Sequence, residues 1–296
     1  MSRRGALLFA AMCVIWGVPY LMIRVAVREL TPATLVFGRT AIGALLLLPA
    51  AALRHELRPL LRCWAPLLLY TAVEVAIPWV LLARAETKLT SSLTGLLIAG
   101  VPLVGALVVT LTGERERLGR RSWLGLGIGI AGVAAIVGLD IGQVNVLALV
   151  EVAAVAVCYA VGPIILSRKL ADVPALGVVT ASLAISALVY APFAGAQWPA
   201  AMPSAHVRES VLGLAVVCTA LAFLLFFALI AEIGPVRATV ITYVNPAVAA
   251  TLGVAVLGEH LTSGMVIGFG LVLLGSVLAT GGRRLPASTV SPEPIM

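Results

Sequence analysis

Ten stretches of this chain run for about twenty residues with almost no charge, and no other feature limits its folding so severely. They lie near 6–27, 32–52, 64–84, 89–111, 122–139, 145–166, 176–195, 209–233, 236–257 and 263–281. A helix of about 20 apolar residues crosses the roughly 30 Å hydrocarbon core of a bilayer. Of the 296 residues, 61% are hydrophobic and 11% charged. A water-facing surface usually draws on about 25% charged residues, so lipid must be the main solvent here. Spanning segments satisfy every backbone group internally, and these runs are too long and too evenly apolar for barrel strands. The expected fold is an all-α integral membrane protein of ten transmembrane helices, numbered spans one to ten in chain order.

The net charge is +7, a balance that can point to nucleic acid. Its placement says otherwise. With the N-terminus inside, fourteen of the 20 Lys and Arg residues fall on inner segments, among them Arg3, Arg4, Arg54, Arg58, Arg62, Arg120 and Arg237. Arg24, Arg28, Arg84, Lys88 and Arg208 fall outside, and Arg39 lies within span two. Basic residues gather on cytoplasmic loops, so a multi-pass plasma-membrane protein with both termini in the cytoplasm is expected, with the lipid bilayer and not nucleic acid as its partner. The start, MSRRGALLFAA, has the charge and apolar core of an export signal. No small-residue cleavage site follows, and the run continues to Arg24, so a retained first span is expected. Cys13, Cys63, Cys158 and Cys218 form no CxxC or Cys/His cluster, which supports neither a disulfide framework nor a metal site. Neither lysine follows a glycine, so there is no phosphate-binding loop and no direct ATP drive. No cofactor is expected.

Residues 100–118, GVPLVGALVVTLTGERERL, and 243–261, YVNPAVAATLGVAVLGEHL, read almost alike. An offset of 143 lays Glu116 on Glu259 (259 − 116), Gly125 on Gly268, Gly132 on Gly275, Trp16 on Tyr159 and Pro49 on Pro192. Pro102 meets Pro246 at 144. The chain therefore divides into two copies, 1–142 and 143–282, and a Pro- and Ser-rich tail, 283–296, expected to be disordered in the cytoplasm. Each copy holds five spans, an odd number. The second copy then enters the membrane from the opposite side, which gives inverted repeats, a recurrent design of secondary transporters.

These two segments, the LGLGIGIAGV and IGFGLVLLGSV that follow them, the early WGVPYLMIRV and Arg39 in span two together resemble the EamA family of the drug/metabolite transporter superfamily. The resemblance covers nearly the whole chain. It implies a ten-helix carrier, commonly one that exports small metabolites such as amino acids, or toxic compounds. Tyr159-Ala160 stands where the first copy has Trp16-Gly17, and the doubled GERER leaves Glu114 or Glu116 as the counterpart of Glu259.

Depth sorts the candidate pathway residues. Glu74 stands ten residues into span three, roughly 15 Å from its start and near the midplane. A carboxylate there costs at least about 2.5–3.5 kcal/mol, so it must face the bundle interior, as a proton-coupling or cation-binding group or as a structural one. Arg39, seven residues into span two, and Glu151, six into span six, lie about 10 and 9 Å from the outer edge. Either they form a salt bridge that acts as an outer gate, or Arg39 binds an anionic carboxylate of the solute. Pro102 and Pro246 interrupt spans four and nine, kinking helices and freeing carbonyls, and Asn245 adds a donor and an acceptor. Trp16, Tyr20, Trp79, Tyr159 and Tyr243 lie within spans, where stacking on a planar or cationic solute competes with plain core packing. Glu259 and its counterpart read as loop anchors. The GxxxG pairs 125/129 and 264/268 suit close packing within one chain.

The expected function is a secondary transporter, not an enzyme. It moves a small metabolite or drug-like solute, an amino acid or similar, outward by alternating access, with a proton as candidate coupling ion, and works as a monomer or weak homodimer. A passive channel or facilitator is one alternative. An intramembrane enzyme using Glu74 is another, and it lacks a second catalytic group at that depth.

Overall fold

The computed structural model describes residues 1–111, 119–138 and 145–280, and every apolar run forms helix. Span one is Arg3–Ile15 and Pro19–Ala26, span two Pro32–Leu53, span three Arg58–Ala85, span four Ser91–Ile98 with Val101–Leu111, and span five Arg120–Gly138. Span six is Val146–Lys169, span seven Ala175–Ala196, span eight Ala205–Ile233, span nine Pro235–Ala238 with Ile241–Leu257, and span ten Ser263–Thr280. Among the described residues, 9 helices are long and apolar enough to cross a membrane; the main helix of span nine, at 17 residues, falls just short. Leu45, Leu61 and Leu188 are well over half exposed, the apolar exterior of a bundle that faces lipid. Trp64, Trp123 and Trp198, near helix ends, are also exposed, as interfacial anchors are. The tail from 281 onward, Glu114 and Glu116 lie outside the described residues.

Helices overrun the apolar text at some ends. Span three starts at Arg58 rather than 64, because Pro59 has no amide to lose in a first turn. Span eight starts at Ala205 rather than 209. Other irregularities fall inside the bundle. Span one opens at 16–18, and span four breaks at Ala99 and Gly100, just ahead of Pro102. Span nine instead runs on as helix through Pro246. Spans three and eight each contain one wide π turn, Thr71–Ala76 and Val216–Leu221, starting 145 residues apart (216 − 71). Such turns disturb the backbone ladder and recur at functional sites.

The heaviest helix contacts follow one rule. Span two lies on seven, five on ten and four on nine; three lies on six and one on eight; four also touches six, and one touches nine. Exchanging every span for the one five places away leaves this pattern unchanged: three-with-six becomes eight-with-one, and four-with-six becomes nine-with-one. The five–ten contact is backbone against backbone. A methyl group on Gly132 would sit 2.7 Å from both Gly268 O and Val272 N, and one on Gly275 would sit 2.5 Å from Gly129 N. The small-residue pattern thus serves packing within the chain.

Helix ends are capped and tied between the two halves. Ser2 Oγ accepts from Gly5 N at 2.9 Å, and Asn145, 143 positions on (145 − 2), accepts from Ala148 N at 3.0 Å. At the end of the bundle that holds Ser2, its hydroxyl donates to Glu232, and Gly177 N donates to Glu56 at 3.1 Å. At the opposite end, which holds Glu259, Ser204 N donates to Glu29 at 2.7 Å and Arg84 pairs with Glu151 at 2.8 Å. Each carboxylate thereby reaches across from one half of the chain to the other.

Candidate solute pathway

Arg39 is 8% exposed, deep in span two. A lone cation at that depth needs partners. Its guanidinium carbon lies 3.6 Å from the centroid of the Trp79 ring, and its Nε donates to Thr219 Oγ1 at 2.9 Å. Trp79 comes from span three, just past the π turn; Thr219 sits on the π turn of span eight. Stacking on tryptophan is worth up to about 2 kcal/mol when desolvated and fixes the plane of the guanidinium. Among the described residues Arg39 has no carboxylate partner. Tyr20, Tyr159 and Cys218 lie within its electrostatic reach.

Aromatic rings surround this arginine. Tyr20 belongs to one apolar cluster with Leu82 and Ala249, and Tyr159 borders both that cluster and the one that holds Trp79, Phe223 and Phe227. Trp16 meets Phe223 edge-on at 6.1 Å and Phe226 at 4.7 Å, which connects span one to the same aromatic wall. Such walls favour flat or cationic solutes but hold no charge of their own.

Glu74 rides the π turn of span three. Its Oε2 is buried and has no hydrogen-bond partner among the described residues. The carboxyl rests on Gly162 of span six, where any side chain would collide with it. The next residue, Pro163, is inside the helix and offers no amide to the carbonyl of Tyr159. A glycine notch beside a proline therefore houses the acid. Tyr159 lies within electrostatic reach of both Glu74 and Arg39, so the phenol of span six stands between the carboxyl of span three and the cation of span two. A second hydroxyl pair crosses nearby, Thr71 Oγ1 donating to Ser182 Oγ at 2.9 Å.

Other expected residues lie elsewhere. Glu151 does not meet Arg39: its partner is Arg84, from the end of span three. Span two packs chiefly on spans seven, three and eight, whereas span six packs on three and four, so equal depth does not bring the two side chains together. Tyr243 reaches Thr280 at 3.4 Å between spans nine and ten, away from the aromatic wall. Asn245 is buried and placed to donate to Cys13 O and Ile241 O, each 3.0 Å away. Gly17 lies against Asn245 O and Val248, so the opened stretch of span one is held by span nine next to Pro246. Pro102 follows the break in span four, which rests there on Gly100 and Ala99.

Two acids gain a meaning the sequence hid. Glu259, expected as a loop anchor, caps the start of span four with both oxygens: Oε1 accepts from Ser91 N at 2.8 Å, and Oε2 from Ser92 N at 2.8 Å and Ser92 Oγ at 2.5 Å. A carboxylate there meets the positive end of the helix dipole. The run Thr90-Ser91-Ser92 ahead of an apolar stretch was the available signal. Glu86 is fully buried, although it lies between Arg84 and Lys88 in a segment that reads as exposed loop.

Comparison with known proteins agrees with this architecture. The chain is 29% identical over 286 residues to the inner membrane transporter YedA of Escherichia coli (strain K12), covering 95% of this chain and 92% of that one. It is 26% identical over 277 residues to the transporter YvbV of Bacillus subtilis (strain 168), covering 92% and 90%. A solved crystal structure shares its fold with a TM-score of 0.67 at 21% identity, over 95% of this chain and 97% of the other. The model of the EamA-like transporter family matches twice, at residues 3–138 and again at 146–281. With ten apolar helices among the described residues and two family matches that leave only residues 1–2, 139–145 and 282–296 uncovered, this chain is a multi-pass membrane protein that belongs to the EamA-like transporter family.

Proposed function

We propose that the chain is a secondary transporter that carries a small zwitterionic metabolite of the amino-acid type out of the cell by alternating access. One observation carries this reading: a buried, tryptophan-stacked arginine without a carboxylate partner among the described residues and a carboxyl whose Oε2 is enclosed in a glycine notch both lie within electrostatic reach of Tyr159. Arg39 receives the carboxylate of the solute, and a guanidinium fork suits that planar group. Glu74 receives the ammonium or, when the site is empty, a proton. Solute and proton then exclude one another at one carboxyl, which couples export to proton entry. Tyr20, Trp79 and Tyr159 wall the site.

The moving frame is two five-helix repeats, 1–142 and 143–282, lying upside down relative to each other with both termini in the cytoplasm. One feature supports the inversion, and two more support the duplication behind it. The Ser2 and Asn145 caps stand 143 residues apart at opposite ends of the bundle. The π turns recur at an offset of 145. The heaviest helix contacts survive the exchange of halves. Purified protein in liposomes tests the function: counterflow of a labelled amino acid is expected, and Arg39→Ala should remove it. Chemical change of the solute would instead favour an enzyme, and flux without counterflow a channel. In inverted vesicles Glu74→Gln should abolish pH-driven uptake; an unchanged pH response takes Glu74 out of the coupling.

A further inference from the structure

Glu86 has no part in the pathway above. Its side chain is 0% exposed, and both carboxyl oxygens lack a hydrogen-bond partner among the described residues. Arg24 gives its guanidinium N–H to the main-chain carbonyl of Glu86, not to the carboxyl. Close by stands the latch in which Glu259 holds the start of span four through Ser91 and Ser92. The ionisable groups that bear on Glu86 are Tyr20 and Arg24 from span one and Glu259 beyond span nine. On its own segment Lys88 is exposed and Arg84 is engaged by Glu151, while Ser91 and Ser92, at the start of span four, carry no charge. Burial holds the Glu86 carboxyl well above the ordinary carboxylate range; Arg24 opposes this and the charge on Glu259 adds to it.

Ionising Glu86 in this closed arrangement would set an unpaired negative charge near the hydrogen-bonded one of Glu259, with no donor in place among the described residues to receive it. We propose that Glu86 is a proton-binding site that locks the outer end of the carrier: the Glu259 latch on span four closes only while the Glu86 carboxyl carries a proton taken from the outer side. When the latch opens, water reaches the carboxyl and the proton returns to the side it came from. Glu86 therefore sets how outer pH biases the gate and adds nothing to the protons carried across. The inference rests on the alternating-access reading, with Glu74 as the transported-proton site. The sign follows from linkage: closing takes up one proton, so the closed form gains as outer pH falls through the raised range of Glu86 and is lost as pH rises through it. One proton changes the closed-to-open ratio by about tenfold per pH unit inside that window.

The test measures the width of the outer end. Spin labels at Lys88→Cys and His260→Cys, both exposed positions, go into a chain whose four cysteines are replaced by serine and which also carries Glu74→Gln, so that the mid-membrane acid does not titrate. In nanodiscs the label distance should lengthen as pH rises. Glu86→Gln should hold the short distance at every pH, Glu86→Asp should keep a pH response, and Glu259→Gln should give the long distance throughout. A Glu86→Gln chain that follows pH as its parent does, or a parent that does not respond to pH, overturns the proposal. Separately, with Glu74 intact, the proton-to-solute flux ratio should be unchanged by Glu86→Gln and lost in Glu74→Gln. Failure of that last arm would count against the coupling role of Glu74, not against the lock.

Discussion

Arg39 on span two and Ser182 on span seven stand 143 residues apart (182 − 39), and Glu74 and Thr219 stand 145 apart (219 − 74) on matching π turns. At each pair the first half carries the charge and the second half a hydroxyl. The bonds then cross between halves: Arg39 reaches Thr219, and Thr71, which opens the first π turn, reaches Ser182. A duplicated frame has kept its geometry while its chemistry has become one-sided. Two identical halves would offer two equal sites; these offer one arginine and one acid. The helix breaks differ in the same way. Span one opens at 16–18 and span six runs on through Tyr159 and Pro163; span four breaks at 99–100, just before Pro102, whereas span nine breaks at 239–240 and then runs on as helix through Pro246. Proline alone does not decide where a membrane helix opens. Neighbours that can receive the loosened backbone decide it, as Asn245 does for Cys13 O.

The contrast between halves can be broken in four places. Gly162→Leu should have the largest effect: it fills the notch of Glu74, so transport should vanish, with about 1–3 kcal/mol lost in thermal unfolding. Gly105 of span four, by contrast, would place an added methyl 3.9 Å from the Ala160 Cβ, so Gly105→Ala should be tolerated. Next comes Arg39→Lys, which keeps the charge but loses the Trp79 stack and the planar bond to Thr219. Solute affinity in a binding titration should fall about tenfold, or 1.4 kcal/mol, while Ser182→Ala should change it far less. Thr219→Val should cost about 1 kcal/mol, roughly fivefold in affinity, by removing one hydrogen bond to a retained arginine. The smallest effect belongs to Arg84→Ala. That pair is half exposed on the arginine side, 54% against 9% for Glu151, and should contribute about 0–1 kcal/mol. Loss of transport in Arg84→Ala would make Glu151 a gate after all, with a partner other than Arg39.

Much of the frame was legible because lipid leaves so little choice. Ten apolar runs had to become helices, and the repeated prolines and glycines marked the duplication. Depth along each span marked Arg39 and Glu74 as interior candidates; Arg39 is buried, and Glu74 is half-buried with its Oε2 enclosed. Depth failed for Arg39 with Glu151, since it fixes height in the membrane but not which helices are neighbours. The π turns were not legible: Thr71–Ala76 and Val216–Leu221 read as ordinary helix text. Glu86 escaped for the opposite reason, because charges on both sides of it suggested water where the fold had buried it.

The Gly125–Gly132 stretch of span five and the Gly268–Gly275 stretch of span ten meet with almost no side chain between them. Interlocked main chains have no rotamers to rearrange and no slack to take up, so this seam should behave as a keel. Whatever swings during a cycle swings against it. Thr280 closes span ten on that keel, so a fluorophore placed there would report the tilt of the whole molecule in the bilayer and stay blind to the stroke.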